Sequence, residues 1–236
     1  MTRPTAVVLA APGTNRDPDV AFALHLAGAD ARTVLLAELQ QQPALLRDAQ
    51  MLVVAGGFSY ADALGAGRMW SLALQHGVGD ELTGFVAAGK PVIGICNGFQ
   101  VLTRTGLLPG ALGHNRSGHF QCEWVALEAP ASACVWTDGL EPFECPIAHG
   151  EGRYVHPHLD SLQAAGQVAL RYAGRNPNGS MGDIAGVCDP SGVVLGLMPH
   201  PENHVLPRQH PRHARGTAGG LGLALFERGV AHARQV

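Results

Sequence analysis

Short apolar runs alternate with stretches of helical spacing through the first half of the chain. Ala6-Val7-Val8-Leu9 predicts a buried strand. Asp17 followed by Pro18 predicts an N-cap and a first-turn proline for a helix running to about Ala27. Thr33 to Leu36 and Met51 to Ala55 predict the next two strands, the second closed by Gly56-Gly57. Asp80 to Ala88 reads as a helix that stops at Gly89, and Pro91 to Ile95 as a fourth strand leading directly into a helix from about Asn97 to Thr105. Strands that are apolar throughout and alternate with helices belong to a parallel sheet covered on both faces.

The second half has another rhythm. His119 to Leu127, Ala133 to Trp136, Val168 to Tyr172, Ile184 to Cys188 and Val193 to Leu197 are strand candidates separated by Gly, Pro and Asn turns. They predict antiparallel ribbons plus a last core strand ending near Met198, and a closing helix spans about Leu221 to Arg234. His204 to Thr217 is polar and rich in His, Arg and Pro, which predicts an irregular surface loop. The expected fold is α/β: one flavodoxin-like domain over residues 1–236, with a mostly parallel central sheet, helices on both faces and antiparallel additions in the second half.

Composition narrows the function. A length of 236 residues, 46% of them hydrophobic, suits one large core. A formal net charge of −3 offers no electrostatic footprint for nucleic acid or an anionic membrane. Five cysteines form no C-x-x-C pair, which fits reduced thiols rather than a disulfide framework. With no signal-like N-terminus and no apolar run near the ~18 residues of a membrane span, a soluble cytoplasmic protein is expected.

One stretch carries chemistry. Val92-Ile93-Gly94-Ile95-Cys96-Asn97-Gly98-Phe99-Gln100 is a strand, a turn holding a single cysteine, and the start of a helix. That is the form of a nucleophile elbow, with Cys where hydrolases of another fold carry Ser. The glycines permit a strained turn and a close approach of neighbouring chains. The new helix aims its free N–H groups at the sulfur and favours the thiolate, and the N–H of Asn97 is placed to bind an oxyanion. A lone cysteine at a strand end is equally well a small buried hydrophobe, so a base and an orienting group are needed.

They stand at the end of another apolar strand, where Pro199-His200-Pro201-Glu202 follows Val194 to Met198. In open α/β sheets functional groups collect beyond the carboxyl ends of strands. A tight turn between prolines lets His200 face Cys96 with the Glu202 carboxylate behind it, fixing the tautomer and stabilising the imidazolium. A zinc deaminase needs P-C-x-x-C after its His-x-Glu. None occurs here or after the second His-x-Glu, His149-Gly150-Glu151, so no metal site is expected. Gly56-Gly57-Phe58-Ser59-Tyr60 follows the third strand, and Gly57 or Phe58 is placed to give a second oxyanion donor.

With these pieces in order, the chain resembles class I glutamine amidotransferases, and among them the family of glutaminase subunits of phosphoribosylformylglycinamidine synthase. The matching runs include Gly13-Thr14-Asn15, Gly56 to Asp62, Gly94 to Leu102, Leu107 to Gly110, Pro146 to Gly152, Asn176 to Ser180 and Met198 to Glu202. The departures are Arg16, where the family usually has Cys; Ala61, where it usually has Gly; and the run from Ala63 to Arg68. The resemblance implies catalysis by Cys96, His200 and Glu202. Gly57, Phe58, Asn97 and Gln100 would bind substrate, Gln100 by helping to hold the glutamine. The Asn176–Ser180 and His149–Gly152 loops would line the site or its partner-facing rim. It also implies no cofactor in this chain, which has no P-loop. ATP and Mg²⁺ would belong to a large synthetase subunit that works on formylglycinamide ribonucleotide, with a small subunit bridging the two. The rival readings are a stand-alone cysteine hydrolase or peptidase of the same architecture, an amidotransferase subunit for another acceptor, and a catalytically dead docking module.

Overall fold

The computed structural model describes residues 2–216 and 220–236. The strands are β1 (Thr5–Ala10), β2 (Asp30–Leu35), β3 (Met51–Val54), β4 (Val92–Ile95), β5 (Ala111–Gly113), β6 (Gln121–Glu128), β7 (Phe143–His149), β8 (Arg153–Val155), β9 (Val168–Ala173), β10 (Ile184–Cys188) and β11 (Val194–Leu197). The helices are α1 (Asp17–Ala27), α2 (Leu36–Gln41), α3 (Ala44–Arg47), α4 (Arg68–Ala87), α5 (Asn97–Arg104), α6 (Leu159–Ala164) and α7 (Leu223–Ala233).

Every residue of β3, β4 and β11 is buried, so each of these strands needs neighbours on both edges and cover on both faces. A nine-stranded sheet in the order β2-β1-β3-β4-β11-β10-β9-β6-β7 supplies them. The five strands from β2 to β11 run parallel in a flavodoxin-like order, and the remaining pairings from β11 to β7 are antiparallel. Helix α1 packs against α7, while α2, α3 and α5 pack against α4. A separate two-stranded ribbon joins β5 to β8. The expected α/β architecture is present, and the carboxyl ends of β4 and β11 lie side by side, with Ile95 opposite Leu197.

Several local expectations are corrected. Arg16, not Asp17, caps α1, and without a side-chain bond; Asp17 and Pro18 sit inside the first turn, where acidic groups suit the helix dipole. Helix α4 starts at Arg68 rather than Asp80, as two segments meeting at Val78. Gly77 and Gly79 weaken its local helical signal. The helix is held by burial of Trp70, Leu74, Val78 and Leu82, four residues apart along one face. Ala133 to Trp136 is no strand: it folds as a turn, with Trp136 buried against Gly229 of α7 and its Nε1–H donating to Val193 O at 3.0 Å. Strand β7 is absent from the sequence reading because Pro146 interrupts it; a proline is tolerated there because β7 closes the edge of the sheet.

The polar segment after His204 is irregular, as expected, but it is not simply surface. His204 and His210 are buried against Trp124, with ring centroids 5.0 and 4.6 Å from the indole. His210 Nε2 lies 2.8 Å from Glu144 Oε2. Thr217, the last residue of that segment, lies outside the described residues. Among the described residues, no helix is long and apolar enough to cross a membrane.

Candidate active site

The elbow follows from close packing. A Cβ on Gly98 would overlap the Val54 carbonyl of β3, and one on Gly94 would lie 2.6 Å from Gly98 O. Only glycine at both positions lets α5 lie directly on β3 and β4. The turn between them forces Cys96 to φ 51°, ψ −105°, a strained backbone for a non-glycine residue, costing roughly 1–3 kcal/mol. Its N–H donates to Leu197 O at 2.8 Å, which ties the elbow to the end of β11. The next residues of that strand end bring in His200, whose own N–H is held by Pro146 O at 2.8 Å.

Pro201 to Asn203 form one tight turn that folds Glu202 back onto the imidazole. Glu202 Oε1 lies 2.7 Å from His200 Nδ1, with both side chains buried. Burial pulls the His200 pKa down, but the Glu202 carboxylate and the charge and hydrogen bond of Cys96 outweigh it and raise it to about 10. The buried imidazole thus lies between the Glu202 carboxylate and the Cys96 sulfur, which together favour its charged form. Gly56 keeps the junction open: a Cβ there would lie 3.0 Å from His200 Cε1 and 3.4 Å from Cys96 Cβ.

The expected substrate-binding residues take distinct places. The Asn97 N–H, at the first position of α5, has no partner among the described residues, and its side chain accepts the Ser59 hydroxyl at 2.5 Å. Gly57 adopts φ 141°, pairs with Thr14, and likewise has an N–H without a partner among the described residues. The Phe58 N–H is already committed to Gly13 O at 3.1 Å, so of the two expected loop donors Gly57 is the free one. The Phe58 ring is exposed and stands 6.2 Å from that of Phe120. Gln100 accepts from Asn97 Nδ2 at 2.8 Å and donates to Glu151 O at 2.7 Å, so it fastens α5 to the loop after β7.

A cavity of about 230 Å³ opens onto Cys96, lined by Gly57, Phe58, Asp62, Gln100, His149 and Glu151 among others. A space of about 30 Å³, room for about one water molecule, touches Cys96 from the side of His200, Asn15 and Arg16. Sequence reasoning missed Asp62, and it gave His149 and Glu151 no role beyond a loop lining the site or its partner-facing rim; the structure places both in the cavity wall. The signal available was their position inside the Gly56–Asp62 and Pro146–Gly152 runs. Asp62 ends a left-handed turn in which Tyr60, Ala61 and Asp62 have φ of 53°, 54° and 53°.

Comparison with known proteins bears on this geometry. Residues 3–233 match the CobB/CobQ-like glutamine amidotransferase domain. The phosphoribosylformylglycinamidine synthase subunit PurQ of Treponema denticola is 44% identical, covering 97% of this chain and 98% of that protein. The subunit of the same name from Mycobacterium tuberculosis is 44% identical over 92% of each chain. Among solved structures, PurLQS from Thermotoga maritima contains a chain that superposes with a TM-score of 0.80 at 36% identity, covering 96% of this chain and 97% of that one. Another glutamine amidotransferase from Thermotoga maritima shares the fold alone, with a TM-score of 0.58 at 15% identity, over 92% of this chain and 83% of that one. The chain therefore belongs to the CobB/CobQ-like glutamine amidotransferases and, within them, to the glutaminase subunits of phosphoribosylformylglycinamidine synthase.

Proposed function

We propose that the chain hydrolyses glutamine to glutamate and ammonia with Cys96 as nucleophile, His200 as acid and base, and Glu202 as the group that orients and charges the imidazole. The observation that carries this reading is the convergence of the three side chains at the adjoining ends of β4 and β11. The Cys96 sulfur attacks the side-chain carbonyl carbon of glutamine. The oxyanion takes hydrogen bonds from the N–H groups of Asn97 and Gly57, each donor worth roughly 3 kcal/mol in the transition state. His200, already protonated, gives its proton to the departing nitrogen as the C–N bond breaks, releasing ammonia and leaving a thioester. A water then attacks the thioester carbon and gives His200 a proton, and the C–S bond breaks to free glutamate and the thiolate. The small space beside His200 is the right size for that water.

The whole chain, residues 1–236, acts in this reading as one cytoplasmic glutaminase domain without a cofactor of its own. Its relatives carry the name of a synthase subunit, and the Thermotoga maritima structure is of PurLQS, which supports assembly with two partners, a small bridging subunit and a large synthetase. The synthetase would hold ATP and Mg²⁺ and use the ammonia to convert formylglycinamide ribonucleotide to formylglycinamidine ribonucleotide. The test is glutamate release by the chain alone and with its synthetase partners, nucleotide and acceptor. Weak activity alone, a large rise on assembly, and loss of hydrolysis in a folded Cys96→Ser variant are expected. Substantial hydrolysis by Cys96→Ser would sink the triad, and full activity indifferent to partners would point to a stand-alone hydrolase.

A further inference from the structure

Among the described residues, the cavity leading to Cys96 is lined by two carboxylates, Asp62 and Glu151, and by no lysine or arginine. Among the described residues neither carboxylate forms an ion pair, and Asp62 Oδ1 is buried without a hydrogen-bond partner. Burial and the nearby Glu151 charge push the Asp62 carboxyl upward, so the two groups repel each other across the cavity. A third acceptor stands in the same wall. Asn115 donates through Nδ2 to the carbonyls of His119 and His149, which leaves its Oδ1 facing His149 Nδ1 at 3.1 Å. The His149 proton therefore sits on Nδ1. Its Nε2, in a residue only 2% exposed, is a bare acceptor with no partner among the described residues.

Acceptors and negative charge on one side, with a thiol and an oxyanion site at the inner end, define the complementary ligand. It carries an amide at one end and a cationic donor at the other. We propose that Asp62 and Glu151 seat the α-ammonium group of the substrate and so make a free α-amine the requirement that distinguishes glutamine from other amides. This inference rests on the glutaminase reading above. Both groups are held in place: Asp62 by the left-handed turn from Tyr60, and Glu151 by the bond from Gln100 Nε2 to its carbonyl. A cation between the two carboxylates relieves their repulsion, so binding and charge neutralisation are one event.

The decisive experiment compares glutamine with 4-carbamoylbutanoate, which is glutamine without the α-amine, as substrates of the assembled complex. The unmodified protein should prefer glutamine by at least about 100-fold in kcat/KM, since losing a partner to a paired charge typically costs a factor of this order. Asp62→Asn and Glu151→Gln should each raise KM for glutamine by about 10-fold or more with kcat little changed, which is the signature of lost ground-state binding. Turnover of the analogue should hardly move, so the discrimination falls by the same factor. Alkylation of Cys96 by iodoacetamide, which has no ammonium group, should proceed at the unmodified rate in both variants if the elbow is intact. The inference is overturned if the unmodified complex uses both substrates equally. It also falls if both variants keep the original KM, or lose only their grip on the synthetase. A protein that neither hydrolyses glutamine nor is alkylated at Cys96 would overturn the glutaminase reading itself.

Discussion

The chain contains two His-x-Glu triplets on the same site, and their fates are opposite. In His200-Pro201-Glu202 the tight turn from Pro201 folds the carboxylate onto Nδ1 at 2.7 Å, and the imidazole is raised to about 10. In His149-Gly150-Glu151 the middle residue is glycine, the chain bends away, and Nδ1 meets the neutral amide oxygen of Asn115 instead. Burial, and then the charge of His200, lower that histidine to about 4. One triplet therefore favours a charged imidazole beside the Cys96 sulfur, while the other favours a neutral imidazole and leaves its carboxylate to the cavity. Spacing alone does not pair an imidazole with its carboxylate; the residue between helps to decide where the carboxylate goes.

The largest test of this contrast is Glu202→Gln. Loss of the charge and of the tautomer it fixes should lower kcat for glutamine by about 10³–10⁴-fold with little change in fold, as read by single-turnover glutamate release. A loss under about tenfold would mean that Glu202 merely packs.

The next effect is on stability against pH, and the two histidines give opposite signs. His149 is depressed from 6.5 to about 4, so between those values the unfolded chain binds the extra proton. Its contribution is whole above pH 6.5 and is lost as pH falls toward 4. His200 is raised from 6.5 to about 10, so its contribution is whole below 6.5 and is lost as pH rises through 10. Urea midpoints should accordingly fall on both sides, with His149→Gln flattening the acid arm and His200→Gln the alkaline arm. Arms that stay unchanged in these variants would break the assignment.

The smallest effect concerns the turn that carries Asp62. Ala61 sits at φ 54°, where glycine is at ease and alanine is not. Ala61→Gly should stabilise the chain by about 1 kcal/mol or slightly less, because relief of left-handed strain is partly offset by the freer unfolded chain. A destabilised variant in thermal melts would show that the alanine side chain contributes packing that outweighs its strain.

Much of the candidate site's arrangement was legible along the chain because it is local. Gly94, Cys96 and Gly98 must follow one another for a strand to turn straight into a helix, and His200 and Glu202 lie within one turn. The continuous apolar runs likewise fix β1, β3, β4 and β11 as buried parallel strands. Tertiary structure decided the rest. Strand β7 exists because a sheet edge accepts Pro146, and α4 extends back to Arg68 because Trp70 and Leu74 are covered by their neighbours, whatever Gly77 costs the helix. Trp136 is buried from a turn because α7 offers it Gly229. Which of the two His-x-Glu triplets holds a charged imidazole also depended on a partner 34 residues away from His149, Asn115, and on the carbonyl contacts that orient it. Local spacing determines what a few adjacent residues can form. The charge state of a buried group is set by what the rest of the chain places around it.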